Sequence, residues 1–235
     1  MRTADLLELA GHEGESALDV GVRDGHLTRL LADRFPRVTA LDVTTPDISD
    51  RRIVCVAGDV TKLAFPDGCF DLVVCTEVLE HITPPLLDAA CHELARVTRR
   101  GLLIGVPYKQ DIRVGRTTCV NCGARNPPWG HVNRFDELRL RELFPGLAVH
   151  RTTFVGVNDQ STNCVSSYLM DLAGNPYGTY GQDEPCIGCG GKLVQAPHRR
   201  FHHKVLTKVA FWARRATAPF KSEGANWIHL ILHKP

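Results

Sequence analysis

The most constraining feature of this chain is a glycine-containing turn between a short apolar run and a helix-like run. The apolar run ends at Asp19, the turn contains Gly21 and Gly25, and residues 26–33 have helical character. A strand, a turn and a helix in this order place a helix N-terminus and free backbone N–H groups at the mouth of a parallel sheet. The segment therefore predicts a site for a polar ligand at the start of an α/β domain.

Strand-like apolar runs alternate with helical runs along the first half of the chain. The predicted strands are residues 17–20, 38–42, 52–56, 71–75 and 102–106. Helices are predicted at 26–35 and at 84–99, where apolar residues recur at spacings of three and four. Such alternation implies a parallel sheet with right-handed crossovers. Further along, the pattern predicts a helix at 135–143, strands at 148–155 and 227–233, and irregular chain at 156–195.

Composition limits the class of protein without naming it. A chain of 235 residues can form one α/β domain with insertions. The formal net charge of +2 is too small to argue for nucleic acid. No run approaches the ~18 apolar residues of a membrane span, and the first ten residues lack the apolar core of a signal peptide. We therefore expect a cytoplasmic protein.

Three acidic residues, Asp19, Asp42 and Asp59, come at or just after the ends of the first three predicted strands. A carboxylate at this edge repels a pyrophosphate and attracts a cation. S-adenosyl-L-methionine carries a sulfonium and an α-amino group, so it fits where a dinucleotide does not. Asp42 could accept both ribose hydroxyls, and Asp59 could accept from the adenine amino group. A single Asp is more often a turn or helix cap, but three at successive strand ends favour a site.

Four segments carry a resemblance to a known family: ALDVGVRDG at 17–25, LD at 41–42, GDV at 58–60 and LAFPDGCFDLVVCTEVLEH at 63–81. They resemble the class I methyltransferases that depend on S-adenosylmethionine, and in particular the methyltransferase type 11 group. The resemblance covers residues 16–107 and implies that the first strand and the glycines hold the methionine end of the cofactor, with Thr76 and Glu77 under the sulfonium. The implied cofactor-binding residues are Asp19, Gly21, Arg23, Gly25, Asp42, Val43, Asp59, Val60, Thr76 and Glu77.

The sequence departs from this family at one position of the turn. The family has Gly-x-Gly-x-Gly, and Arg23 stands where the middle glycine is usual. Glycine permits a positive φ and close approach of a ligand, whereas arginine adds bulk and charge. Either the turn tolerates Arg23 pointing away, or the cofactor binds more weakly. We expect tolerance, because Gly21 and Gly25 remain.

Two Cys-x-x-Cys pairs, each followed by glycine, predict a metal site. The pairs resemble the two knuckles of a zinc ribbon, in which small residues let backbone N–H groups reach the sulfurs. A redox pair is the alternative, but neither pair has a thioredoxin-like context. Four thiolates leave a Zn²⁺ ion no open position, so we expect structural zinc that holds a lid over the acceptor pocket. The predicted ligands are Cys119, Cys122, Cys186 and Cys189.

The acceptor side is less defined. His81, Asp111 and His131 are candidates for the base that removes a proton from an acceptor hydroxyl, although each histidine could equally serve packing or a hydrogen bond. Residues 197–220 are predicted to form a basic, aromatic helix that could lie on an anionic membrane or meet a phosphate-bearing acceptor. Packing of its apolar face on the sheet is the favoured alternative, and nucleic acid is disfavoured by the low overall charge.

Together these features predict an α/β fold: a Rossmann-like, doubly wound, mostly parallel seven-stranded sheet with an antiparallel last strand and zinc-binding insertions. The predicted function is O-methylation of a small-molecule or sugar hydroxyl. A non-catalytic module that docks a protein or nucleic acid through the zinc lid, and a methyltransferase for RNA or protein, remain alternatives. The predicted divisions are a cofactor-binding core at 1–107, a first insertion at 108–134, a core helix and strand at 135–155, a second insertion with the basic helix at 156–225, and a last strand at 226–235.

Overall fold

The structure is a computed structural model that describes residues 1–216 and 224–235. The chain divides into two compact units. The first, called here the core unit, contains Met1–Tyr108, Phe135–Val157 and Ala225–Pro235. The second, called the insertion unit, contains the two intervening stretches, Lys109–Arg134 and Asn158–Gly224.

The core unit is built on a seven-stranded sheet with the order β3-β2-β1-β4-β5-β9-β8. The first five strands are parallel, and β9 is antiparallel to both of its neighbours. This confirms the predicted α/β class and the antiparallel last strand. The strands of this sheet are β1 (Ser16–Val20), β2 (Arg37–Asp42), β3 (Ile53–Ala57), β4 (Phe70–Thr76), β5 (Thr98–Pro107), β8 (Ala148–Val155) and β9 (Trp227–His233).

Helices cover both faces of this sheet because its strands are apolar on both sides. Along β1, Leu18 belongs to one buried cluster and Ala17 to the other, as expected from the two-residue repeat of a strand. Residues of α3 and α4 pack in the first cluster, and residues of α1 and α2 pack in the second. The helices are α1 (Arg2–Ala10), α2 (His26–Ala32), α3 (Pro84–Val97) and α4 (Glu137–Leu143).

The strand order reverses between β1 and β4, and this reversal defines the ligand-binding edge of the sheet. From β1 the chain moves outward through β2 to β3, and it then returns to the other side of β1 as β4. In such sheets a ligand binds in the crevice outside the carboxyl ends of the strands on either side of the reversal. Asp19 is level with Ala40 of β2 and Val74 of β4, so these carboxyl ends lie at one edge.

Among its described residues, the insertion unit contains a small two-stranded sheet, two α-helices and a short 3-10 helix at Pro128–Gly130. The strands β6 (Thr117–Thr118) and β7 (Arg125–Asn126) pair as an antiparallel hairpin around the first cysteine pair. Helix α5 (Cys164–Leu172) lies within residues predicted to be irregular, so that prediction was wrong there. Helix α6 (Phe201–Ala216) lies within the predicted 197–220 helix; residues 217–220 of that prediction lie outside the described residues.

Candidate functional site

The glycine turn follows β1 and ends at the first residue of α2. Gly21 and Gly25 have φ of 78° and 71°, in the left-handed region that favours glycine. A Cβ on Gly21 would lie 2.2 Å from Cγ2 of Val78, so a side chain there would displace Val78. The Gly21 N–H donates to the carbonyl of Leu41 at 2.8 Å, which joins the turn to the end of β2.

Arg23 adopts the conformation of the glycine that it replaces. Its φ is 48°, and its side chain is exposed. Its backbone N–H donates to Oδ2 of Asp42 at 3.0 Å. The backbone of the turn therefore follows a path suited to a glycine sequence, with the arginine side chain in solvent.

Asp19 is buried at the end of β1. Its Oδ2 accepts a hydrogen bond from the Thr28 hydroxyl at 2.7 Å, and Thr28 lies in the first turn of α2. Burial raises the pKa of Asp19 to about 7, and the carboxylate of Asp42 adds to the increase, while the Thr28 hydrogen bond opposes it. A carboxyl in this condition gains charge when a cation binds beside it. Thr28 was not singled out from the sequence.

Asp42 ends β2 with its carboxylate directed to the glycine turn. Oδ2 accepts the N–H of Arg23, and Oδ1 accepts the N–H of Val43 at 2.7 Å. Each carboxylate oxygen has two lone pairs, so acceptor capacity remains for two further donors. Val43, the next residue, is 81% exposed, which is unusual for a valine at the end of a buried strand and leaves an apolar surface beside the carboxylate.

Asp59 follows β3 and holds its own turn. Its Oδ1 accepts both the N–H and the hydroxyl of Thr61, each at 2.8 Å, and these hydrogen bonds lower its pKa. This is the local turn role that a single Asp often has. Neighbouring Val60 is buried in the core of the sheet. Asp59 thus follows β3, which pairs with β2, the strand that ends at Asp42. Its Oδ1 atom is bound to Thr61 within its own turn.

The residues after β4 include an acidic pair, half-buried Glu77 and buried Glu80. Glu77 has φ of 57°, and its Oε2 lies 3.6 Å from Nη1 of Arg2. Burial raises the pKa of Glu77. Glu80 is fully buried, and neither of its carboxyl oxygens has a hydrogen-bond partner among the described residues. Burial raises its pKa to about 8, with a further contribution from Glu77. Thr76, the last residue of β4, is half-buried.

Glu80 was missed by the sequence reasoning. The string from Thr76 to His81 was noted as a family motif, but Glu80 gave no separate signal, because a glutamate between Leu79 and His81 also suits an exposed turn.

The three base candidates lie in different surroundings. His81 follows the acidic pair in the core unit, and its backbone N–H donates to Val78. His131 is buried in the insertion unit, with Nδ1 2.7 Å from Oε1 of Gln110. Asp111, also in the insertion unit, is bound by the Arg113 guanidinium at 2.8 and 2.9 Å and by the N–H of Thr162 at 2.8 Å.

Asp111 has the surroundings of a structural ion pair. Burial alone would raise its pKa, but the hydrogen bonds from Arg113 and Thr162 outweigh burial, and the net pKa is lowered. A carboxylate whose proton affinity is lowered is a weak base. The geometry therefore favours a structural role for Asp111, which joins two segments of the insertion unit.

The four cysteines of the two pairs lie together in the insertion unit. All four Sγ atoms lie within 4.8 Å of one another. The distances from Cys119 to Cys189 and from Cys122 to Cys186 are 3.7 and 3.6 Å between Sγ atoms. A tetrahedral ion with Zn–S bonds of about 2.3 Å requires sulfurs about 3.8 Å apart. Separations of this size are too long for disulfides, and the donor set fits Zn²⁺.

Backbone groups around the cysteines support the same arrangement. The N–H of Gly188 points at Sγ of Cys186 at 3.4 Å, as expected in a knuckle that surrounds a thiolate. A Cβ on Gly188 would lie 2.9 Å from Cβ of Ala124 and 3.3 Å from Sγ of Cys122. Glycine is therefore required where the two knuckles approach each other.

Comparison with known proteins finds a family match for part of the core unit. Residues 18–104 match the family described as a methyltransferase domain. Over 105 residues the chain is 34% identical to the demethylmenaquinone methyltransferase of Beutenbergia cavernae. This match covers 43% of this chain and 43% of that protein. Over 100 residues it is 33% identical to a ubiquinone biosynthesis O-methyltransferase of Pseudomonas paraeruginosa, covering 38% of this chain and 43% of that protein.

A solved structure shares the fold over the whole chain. The N-methyltransferase NodS of Bradyrhizobium japonicum superimposes with a TM-score of 0.57 at 16% identity, covering 100% of this chain and 94% of NodS. Identity this low speaks for the fold alone. The match spans less than half the length of each of these two curated relatives. Residues 18–104, which are less than half of the chain, nevertheless match the methyltransferase domain family.

Proposed function

We propose that the chain transfers a methyl group from S-adenosylmethionine to a hydroxyl group of a small molecule, such as a sugar or a quinol. The observation that carries this proposal is the position of Asp42, whose carboxylate accepts the Arg23 N–H within the glycine turn at 3.0 Å. An acceptor oxygen beside this turn suits the ribose of a nucleoside cofactor. One curated relative is named a demethylmenaquinone methyltransferase and another a ubiquinone biosynthesis O-methyltransferase, and both names support a small-molecule acceptor.

The cofactor residues have distinct roles in this proposal. Asp42 accepts from the ribose hydroxyls with its remaining lone pairs, and the exposed Val43 offers an apolar surface to the base. Asp59 accepts from the adenine amino group through Oδ2, because Oδ1 is already bound to Thr61. Buried Val60 fixes the backbone at this point.

The positive end of the cofactor meets the buried acids. Asp19, beside Gly21 and Gly25, attracts the α-ammonium group, and Thr76 with Glu77 lies under the sulfonium. When bound, S-adenosylmethionine supplies a methyl group activated by the positive charge on sulfur. The role of the chain is to align the acceptor oxygen in line with the sulfur–methyl bond. A base must also remove the hydroxyl proton.

We propose that this proton is removed by one of two histidines, His81 or His131. Histidine is the side chain that most often acts as a general base in enzymes. His81 lies in the same unit as the cofactor residues, directly after Glu80. Asp111 is the weakest of the three candidates, because Arg113 and Thr162 already hold both of its oxygens.

The four cysteines hold structural Zn²⁺ in this proposal. Cys119 and Cys122 supply two thiolates, and Cys186 and Cys189 supply the other two. Four sulfur ligands complete a tetrahedral shell, so the ion stabilises the insertion unit without an open position for chemistry. The predicted role of this unit as a lid over the acceptor stays a prediction.

Titration of Asp42→Ala with S-adenosylmethionine tests the cofactor site. We expect the variant to lose about 1–3 kcal/mol of binding free energy, because two ribose donors lose a charged acceptor. Isothermal titration calorimetry measures this directly. Asp88→Ala is the matched control, since Asp88 is an exposed aspartate on α3 of the same unit and its loss should leave affinity unchanged. Equal affinity of wild type and Asp42→Ala would remove Asp42 from the site.

Product analysis separates methyl transfer from the alternative functions. Incubation with quinols and with glycosides, followed by measurement of S-adenosylhomocysteine, is expected to show turnover with a hydroxyl acceptor. If the chain binds no S-adenosylmethionine while zinc is present, the binding-module alternative is favoured. Turnover on RNA or protein that falls steeply with salt, without turnover on small hydroxyl compounds, would replace the proposed acceptor class.

A further inference from the structure

Helix α6 turns an apolar stripe outward although its opposite side is already packed. Thr207 and Ala210 are buried on the packed side, where α6 contacts α5 within the insertion unit. On the outward side, Phe201 and Trp212 are 83% and 79% exposed, and Val205 and Val209 are 44% and 49% exposed. Val205, Val209 and Trp212 follow Phe201 by four, eight and eleven positions. At these spacings the four side chains form one stripe along the helix.

A basic stripe runs beside the apolar one. Lys204, Lys208 and Arg215 are exposed on the outward side of α6, each within one turn of a residue of the apolar stripe. Within the described part of the chain, none of the three forms an ion pair. From 197 to 216 the sequence contains six lysines and arginines, three histidines and no acidic residue. The outward face is therefore apolar and cationic at once.

Aromatic side chains widen this face within the same unit. The ring of Phe211 meets the ring of Tyr177 edge to face, with centroids 5.5 Å apart, and Tyr177 is 64% exposed. The guanidinium of Arg199 lies 5.7 Å from the Tyr177 ring. Arg199 also donates to the Thr207 hydroxyl at 2.5 Å, so it fixes the start of α6 to the helix body. The face is held in place before any partner binds.

We propose that this outward face of α6 docks on the surface of an anionic lipid bilayer. Helices that lie in the membrane interface combine aromatic and aliphatic residues with lysine and arginine. Their binding adds burial of the apolar stripe to attraction between basic side chains and anionic headgroups. The proposal is independent of methyl transfer, and it describes peripheral contact. No helix among residues 1–216 and 224–235 is long and apolar enough to cross a bilayer.

Other occupants of this face fit the observations less well. Nucleic acid would use the cationic stripe, but Val205 and Val209 cannot stack on bases and would remain in water. A second copy of the chain would bury the apolar stripe only by bringing the basic stripes of two helices together, which like charges oppose. A bilayer surface satisfies both stripes, since headgroups meet the charges while the aromatic and aliphatic groups enter the interface.

Vesicle flotation with the full chain tests the proposal. We expect the protein to float with vesicles of phosphatidylcholine and phosphatidylglycerol, and to float much less with phosphatidylcholine alone. Raising salt from about 0.1 M to about 1 M should reduce flotation, because the screening length falls from about 10 Å to about 3 Å. The tryptophan fluorescence should shift to the blue on binding, and Trp212→Phe should remove most of the shift while retaining flotation.

Two variants separate the stripes. The double variant Lys204→Glu and Lys208→Glu should lower partition by roughly thirtyfold or more, from about fivefold per lost cation. Phe201→Ser with Trp212→Ser should lower it about tenfold or more, by removing two apolar groups. All four residues are exposed, so circular dichroism should show unchanged helix content. The matched controls are Leu138→Ser and Arg141→Glu on α4 of the core unit, which should bind as wild type.

Several results would overturn the proposal. Absence of flotation with anionic vesicles at low salt is one, and equal flotation of wild type and both double variants is another. Binding to transfer RNA that is lost in the lysine variant, without flotation of the wild type, would assign the face to nucleic acid. A dimer in solution that Phe201→Ser with Trp212→Ser converts to a monomer would assign it to a second copy.

Discussion

Buried carboxyl groups are the residues whose charge the fold controls most strongly. Asp19, Glu77 and Glu80 all have raised pKa values, and in each the first cause is burial. A soluble core rarely retains such groups without a partner. Asp19 accepts from Thr28 and Glu77 lies beside Arg2, whereas neither carboxyl oxygen of Glu80 has a hydrogen-bond partner among the described residues. Their position at or just after the carboxyl ends of β1 and β4 suits a site that receives a positively charged ligand, because a nearby cation stabilises the charged form of a carboxyl group.

The proposed role of Asp19 predicts that affinity for the cofactor depends on pH. With a pKa of about 7, Asp19 is mostly neutral at pH 6 and mostly ionised at pH 8. Only the ionised form attracts an α-ammonium group, so affinity for S-adenosylmethionine should rise with pH across this interval. Calorimetry at several pH values measures the slope and the proton release. Asp19→Asn should bind more weakly at pH 8 and lose the slope that Asp19 produces; an unchanged slope would show that another group titrates.

Glu80 makes stability depend on pH in the opposite sense. Its pKa rises from 4.5 to about 8 on folding, so the native state binds a proton that the unfolded state has released. The loss of folding stability caused by ionising buried Glu80 is absent below pH 4.5. It grows from there to pH 8 and is fully present above pH 8.

The matched variant is Glu80→Gln, which keeps the shape and cannot ionise. Urea unfolding should show wild type losing stability relative to Glu80→Gln between pH 5 and pH 9, by on the order of 3 kcal/mol. A pH-independent difference between the two proteins would mean that Glu80 has a charge partner in solution.

The elements with strong periodicity were predictable, and their ends were less so. The β8 strand coincides with the prediction at 148–155, and β9 with 227–233. Helix α2 ends at Ala32, three residues before the predicted end at residue 35. Phe35 is buried beyond that end, so an apolar residue that packs the core extended the helical pattern past the helix itself.

The β5 strand shows how neighbouring contacts set a boundary. The predicted helix continued to residue 99, because basic residues suit a last helical turn. In the structure α3 ends at Val97 and β5 begins at Thr98, whose partner across the sheet is Phe70. The Arg99 guanidinium lies 3.1 Å from buried Asp71, and this pairing favours the strand.

Helix α5 was missed because its flanks are rich in turn residues, although it carries a local signal. Asn163 is the N-cap, and its side chain accepts the Ser166 N–H at 2.8 Å. An Asn before an apolar run is a helix start. The two-residue strands β6 and β7 had no such signal, because their pairing depends on the cysteine hairpin that they flank.

At the scale of the molecule, the two units differ in what stabilises them. The core unit buries two large apolar clusters around its sheet. Around the four cysteines, the buried cluster consists of Cys119, Cys186 and Leu193, with Ala124 and Tyr180 against it. A cluster this small cannot hold a two-residue hairpin folded by itself, since short strands bury too little apolar surface. We therefore expect a metal ion bound by the four cysteines to supply the remaining stability.

Metal removal is therefore expected to act on one unit. Purified protein should contain one Zn²⁺ per chain by elemental analysis, and a strong chelator or Cys119→Ser should release it. Hydrogen exchange should then accelerate at 117–126 and 186–191, because metal binding is folding free energy for such a site. Exchange in β1, β4 and β5 should stay slow, since their core contains no cysteine of the four.

Cys164→Ser is the matched control, because Cys164 is an exposed cysteine of the same unit outside the cluster. Slow exchange at the knuckles after complete metal removal would show that the hairpin folds without zinc, and the small buried cluster would then have to be sufficient by itself.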